Sequence, residues 1–109
     1  MTIYQPGDLV LLAFPYAGDT RSKHRPALVL LDTGDADVLV ARVKTRIYDT
    51  PNDVAIAEWQ AAGLLALSVV RLHKMATLEK ALIRRQLGEL RPEDRRRVQA
   101  VIRRIYGRW

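Results

Sequence analysis

The 109-residue chain contains no cysteine, which excludes a disulfide framework, a thiolate nucleophile and a cysteine-ligated metal centre. Its two histidines, His24 and His73, have no cysteines to complete a zinc-binding set. No apolar run approaches the roughly 20 residues that span a bilayer. The opening Met1-Thr2-Ile3-Tyr4-Gln5-Pro6 also lacks the basic region and apolar stretch of a secretion signal, so a cytoplasmic protein without membrane contact is expected. Repeats, low-complexity tracts and linkers are missing as well, and residues 1–109 are expected to form one domain.

Charge is present, and unevenly. The net charge is +6, and arginine supplies 14 of the 18 basic residues. Residues 1–83 hold nine Lys or Arg against nine Asp or Glu, while residues 84–109 hold nine against three. The whole excess therefore lies at the C-terminal end. Arginine's planar fork suits phosphate, which points to a nucleic-acid partner, although a basic run on a helix is often only a solvated face.

Apolar patterning predicts short strands. Leu9 to Phe14 is a six-residue apolar run before Pro15, and Pro15 to His24 has the make-up of an exposed loop. Ala27 to Leu31 and Val38 to Ile47, separated by Asp32-Thr33-Gly34-Asp35, read as a hairpin. Alternation places Val43, Thr45 and Ile47 on one face and Lys44 with Arg46 on the other. A short strand over Asp53 to Ala57, a helical turn over Glu58 to Ala62 and a β-branched run over Ser68 to Leu72 follow, while Met75 to Ile83 fits either strand or helix. Pro92 can open a final helix and Gly107 close it, with Val98, Val101, Ile102, Ile105 and Tyr106 as one apolar stripe. Five or six strands and one helix make an α+β unit.

The loop Arg21-Ser22-Lys23-His24-Arg25-Pro26 is the best site candidate, because it places three cations and an imidazole directly before a buried strand. An arginine held there could bond a phosphate and stabilise charge developing on it. The plain alternative is an exposed, solubilising loop. Trp59, in an Ala-rich segment, reads as core and Trp109 as a frayed end.

In order along the chain, Gly7-Asp8-Leu9-Val10, Phe14-Pro15, Arg25-Pro26-Ala27-Leu28-Val29-Leu30, Ala41 to Ile47, Asp53-Val54, Ser68-Val69-Val70-Arg71, Met75-Ala76-Thr77-Leu78 and Leu87-Gly88-Glu89-Leu90 resemble the MazF/PemK toxins of type II toxin-antitoxin modules. The resemblance covers nearly the whole chain. It implies a small SH3-like β-barrel with a C-terminal helix over residues 92–106, usually a homodimer, acting as an endoribonuclease on single-stranded RNA without a metal or other cofactor. The ribose 2′-hydroxyl would attack its own phosphate, leaving a 2′,3′-cyclic phosphate and a free 5′-hydroxyl.

Under that resemblance Arg25 is the catalytic arginine. The family's threonine or serine falls at Lys44 in a gapless reading, so either Lys44 replaces the hydroxyl or a bulge lets Thr45 take its place. His24 is a candidate proton carrier, and Arg21, Lys23, Arg46, Arg71 and Lys74 are candidate RNA-binding residues. The Asp-Gln-Ile-Arg common in the family reads His73-Lys74-Met75-Ala76 here, a departure that bears on sequence preference. The implied partner is an acidic antitoxin whose disordered tail covers Arg25. A non-catalytic nucleic-acid-binding barrel, an inactivated toxin homologue and a gyrase-poison-type toxin share the same architecture.

Overall fold

The computed structural model describes residues 2–15 and 22–109, so Arg21, alone of the candidate site loop, lies outside the described residues. Six strands, β1 (Asp8–Pro15), β2 (Ser22–Leu31), β3 (Asp37–Lys44), β4 (Asp53–Ala55), β5 (Val69–Glu79) and β6 (Ile83–Glu89), precede helix α1 (Pro92–Tyr106). They form one sheet of order β4-β5-β3-β2-β1-β6 with antiparallel neighbours, the α+β arrangement expected.

Alternation along the strands builds an apolar cluster on each face of the sheet. Val10, Leu12, Ala27, Val29, Val38 and Val40 form one, with Tyr4, Leu78, Leu82 and Ile83 packed on it. Leu9, Leu28, Ala41, Val43, Val70 and Leu72 belong to the other, which α1 covers with Val98, Val101, Ile102 and Ile105. The expected helical stripe is therefore the lid of the larger core. Trp59 packs against that core and Trp109 is fully exposed, as read from the sequence.

The hydrogen-bonded sheet does not close into a ring: β4 and β6 are its edges. Backbone packing bridges the gap instead. Gly63 lies against the Leu87 carbonyl and Gly88 against the Ala62 carbonyl, so closely that a Cβ at either position would collide with main chain. The turn that makes this contact carries the expected helical bond from the Ala62 N–H to the Glu58 carbonyl. Asp94, fully buried at the start of α1, holds the same turn by accepting the Ala57 and Glu58 N–H groups at 3.0 and 2.9 Å.

Three sequence expectations shift. The exposed loop is expected to run through His24, but β2 already begins at Ser22 and pairs with β1 through Leu12↔Arg25, Ala13↔His24 and Phe14↔Lys23. Polar residues extend a strand there because β1 supplies ladder partners that composition cannot show. The strand expected to reach Ile47 ends at Lys44, and Thr45, Arg46 and Ile47 follow it, exposed, beyond the sheet. Their expected alternation has no sheet to act on. The ambiguous stretch from Met75 to Ile83 divides into the end of β5, a 3-10 turn at Lys80–Leu82 and the first residue of β6.

Candidate functional site

Pairing between β2 and β3 stops at Ala27↔Arg42, beside Pro26, which has no N–H to offer a neighbouring strand. From there β2 continues on β1 alone, and β3 continues on β5. Two residues further along the same register, Arg25 and Lys44 stand level across this opening. Strand alternation sets their faces: Arg25 follows Leu12 and Ala27, and Lys44 follows Val40 and Arg42. Both cations thus share the face of the smaller core, at its open end.

β5 completes the group. Ala41 pairs with Met75 but the next residue, Arg42, pairs with Arg71, so Leu72, His73 and Lys74 have no partner on β3. This bulge turns His73 and Lys74 into solvent and sets Arg71 directly opposite Arg42. Arg25, Arg42, Lys44 and Arg71 therefore share one face within three adjacent strands. Like charges directly opposite one another destabilise a sheet, and an anion is the natural means of relieving them.

Arg71 is held tightly. Its Nε donates to Asp53 Oδ1 at 2.9 Å, its Nη2 lies 3.4 Å from His73 Nε2, and its guanidinium sits 3.7 Å over the Tyr48 ring. Arg46 lies 5.5 Å from the same ring. Asp53 in turn receives the Thr50 hydroxyl at 2.6 Å and the Thr50 N–H at 3.1 Å on Oδ2. Burial opposes ionisation of Asp53, but the Thr50 and Arg71 hydrogen bonds outweigh it and hold the carboxyl below the usual aspartate range.

The other end of the β3–β5 ladder has the opposite sign. Asp37 pairs with Glu79, and both border an open cavity of about 500 Å³ beside Lys80. Lys80 Nζ lies 2.7 Å from Asp32 Oδ1, and Asp32 also accepts the Tyr4 and Gly34 N–H groups. The Lys80 bond is the main reason its carboxyl is held below the usual range. A polyanion would meet repulsion here and attraction at the Arg25 end.

Of the residues read from the sequence, Arg25, Lys44 and Arg71 come together, and exposed Lys23 shares the face of Arg25 two residues away. Exposed His24 alternates to the opposite face of β2, away from Arg25. Thr45 and Arg46 lie just beyond β3 and Lys74 in the bulge, while Arg21 is outside the described residues. Sequence reasoning missed Arg42, Tyr48 and Asp53. The run Val40, Arg42, Lys44 carries the signal for Arg42, because period-two spacing places it on the Lys44 face.

Among the described residues, no cluster of His, Asp and Glu suited to a metal ion occurs, and no helix is long and apolar enough to cross a membrane.

Residues 5–106 match the family described as PemK-like, MazF-like toxin of type II toxin-antitoxin system. No curated protein sequence matches the chain. Among solved structures, an endoribonuclease from a mycobacterial species is similar at 21% identity, with a TM-score of 0.75 over 98% of this chain and 94% of that one. A mycobacterial endoribonuclease in complex with its cognate antitoxin is similar at 21% identity and a TM-score of 0.73, over 93% and 92% of the two chains. A MazE–MazF structure from Deinococcus radiodurans is similar at 24% identity and a TM-score of 0.76, over 98% of each chain. At these identities the likeness is one of fold.

Proposed function

Starting from a chain that belongs to the PemK-like, MazF-like toxins of type II toxin-antitoxin systems, we propose that it is a cytoplasmic endoribonuclease that cuts single-stranded RNA without a metal. One observation carries this reading: Arg25, Arg42, Lys44 and Arg71 converge on one face at the opening between β2 and β3. That arrangement suits a phosphodiester and needs no protein nucleophile. The ribose 2′-oxygen attacks the adjacent phosphorus and loses its proton. The bond from phosphorus to the 5′-oxygen then breaks, and that oxygen takes up a proton.

Arg25 stabilises the charge that accumulates on the phosphoryl oxygens. Regular pairing of β3 through Lys44↔Val69 favours Lys44 as the second residue facing the phosphate, with the Thr45 hydroxyl adjacent in the bend. Lys23, Arg46, Arg71 and Lys74, together with Arg21, position the remaining strand of RNA. Residues 1–109 act as one domain, and two copies joined as a homodimer would make a continuous basic groove. An acidic antitoxin tail laid over Arg25 and Lys23 would silence the enzyme.

Incubation of the purified protein with a long unstructured RNA and a chelator tests the reading. Cleavage is expected to yield 5′-hydroxyl ends and 3′ ends that resist periodate until the cyclic phosphate is removed. Intact RNA would overturn it. Co-expression with the product of an adjacent short reading frame is expected to relieve growth arrest and co-purify an acidic partner.

A further inference from the structure

Resting on the nuclease reading, we propose that Arg42 and Arg71 form a second phosphate site, separate from Arg25, that grips the phosphodiester neighbouring the one cleaved. The two arginines occupy directly opposed positions on β3 and β5, where Cβ atoms stand about 5 Å apart. Such a pair of like charges weakens the sheet, and nothing between them compensates both. Asp53 receives Arg71, whereas Arg42 is exposed and makes no ion pair among the described residues.

The two side chains are prepared differently. Arg71 has five N–H donors; one is bound to Asp53 and one directed at His73, which leaves three available. The Tyr48 ring fixes the plane of its guanidinium. Arg42 has its whole fork available and can close on an anion from the solvent side. Together they offer a rigid donor and a mobile one, which suits bidentate capture of a phosphate.

Spacing separates this site from Arg25. Arg42 is level with Ala27, two residues along β2 from Arg25, or about 7 Å at the rise of a strand. That distance is close to the step between successive phosphates of an extended single strand, about twice the 3.4 Å per-strand rise of stacked duplex nucleic acid. A chain with one phosphate at Arg25 would thus bring its next phosphate to Arg42 and Arg71. The site serves binding and register, and takes no part in bond breaking.

The test compares wild type, Arg42→Gln and Arg42→Lys, using cleavable RNA and the same RNA fully 2′-O-methylated, which binds but lacks the attacking hydroxyl. Arg42→Gln is expected to weaken binding of the methylated RNA about tenfold, the scale of one charge-assisted contact. It should also flatten the dependence of log affinity on log salt by about 0.7 and raise KM with little change in kcat. Its melting temperature should be equal to or above that of wild type, because the cross-strand repulsion is gone. Arg42→Lys should keep the salt slope with weaker binding.

Unchanged affinity and slope in Arg42→Gln, with wild type binding normally, would overturn the second site and leave the nuclease reading standing. So would a fall in kcat with no loss of affinity, or a lowered melting temperature with an unchanged slope. If Arg42→Gln fails to fold, full affinity in Arg42→Lys overturns the proposal and weakened affinity with a retained slope supports it. Failure of wild type to bind either RNA would overturn both readings together.

Discussion

The arginines of α1 and those at the open end of the sheet carry the same charge to different ends. On α1, Arg95 donates to the Pro6 carbonyl, Arg97 to Asp94 and the Ala55 carbonyl, and Arg104 to the Pro51 carbonyl and Asn52 Oδ1. Each ties the helix to a distant segment. At the sheet, Arg25, Arg42 and Arg71 are brought onto one face by strand register. Three of the nine arginines in the C-terminal surplus that first suggests nucleic acid are thus occupied with the protein's own carbonyls. The charge-neutral first 83 residues hold the site proposed for phosphate, because there it is local geometry and not the total that concentrates cations.

The two sets are also connected. Arg104 grips the turn at Pro51 and Asn52, that turn carries Thr50 and Asp53, and Asp53 fixes Arg71. A helix arginine thereby helps to set the position of a site arginine without approaching the opening between β2 and β3.

The sharpest test of this contrast is Arg25→Ala, which should reduce cleavage at least about a hundredfold, the effect of losing one charge-stabilising donor, while thermal melting stays near wild type. A wild-type cleavage rate would place the site elsewhere. Asp94→Ala should show the reverse pattern. It strands two backbone N–H groups and the Arg97 guanidinium, so chemical denaturation should reveal a loss of about 2–4 kcal/mol with cleavage per folded molecule preserved.

At the end of β3, Lys44→Ala should slow cleavage by about tenfold, the scale of one charged hydrogen bond, and more than Thr45→Ala does. The opposite ranking in single-turnover kinetics would mean that the bend turns the Thr45 hydroxyl onto the phosphate. A smaller effect is expected for Arg104→Ala: at this exposed position stability should fall by no more than about 1 kcal/mol, with a modest rise in KM as Arg71 loosens.

Acid should separate the sets as well. Asp53 and Asp32 are both held below the usual aspartate range in the folded protein, so their contribution is fully present above the unfolded carboxylate range and is lost as pH falls through the folded values. Melting temperature should accordingly be flat near neutrality and drop below about pH 4. In Asp53→Asn that acid limb should be shallower.

Much of this protein is legible one segment at a time. Leu9 to Phe14 and Ala27 to Leu31 mark strands because a short apolar run between turn formers has few other ways to be buried. Pro92, the stripe from Val98 to Ile105 and Gly107 mark the helix with nearly its observed ends. Arg25, before its proline, stands out by motif. Each of these is a local property, carried by residues within a turn or two of one another.

Pairing decided the remainder. Ser22 to Arg25 are strand because β1 lies alongside, and β3 ends at Lys44 whatever the alternation beyond it suggests. No spacing in the sequence announces the β5 bulge that brings Arg71 opposite Arg42, 29 positions away by their numbers. Nor does it show that Asp53 and Tyr48 would hold that arginine, or that the arginines of α1 would find carbonyls. Residue order determines which segments can become strands and helix, since propensity and periodicity act within a segment. Which residues then face one another is settled by register and bulges between segments, and there a shift of one residue turns a side chain to the opposite face.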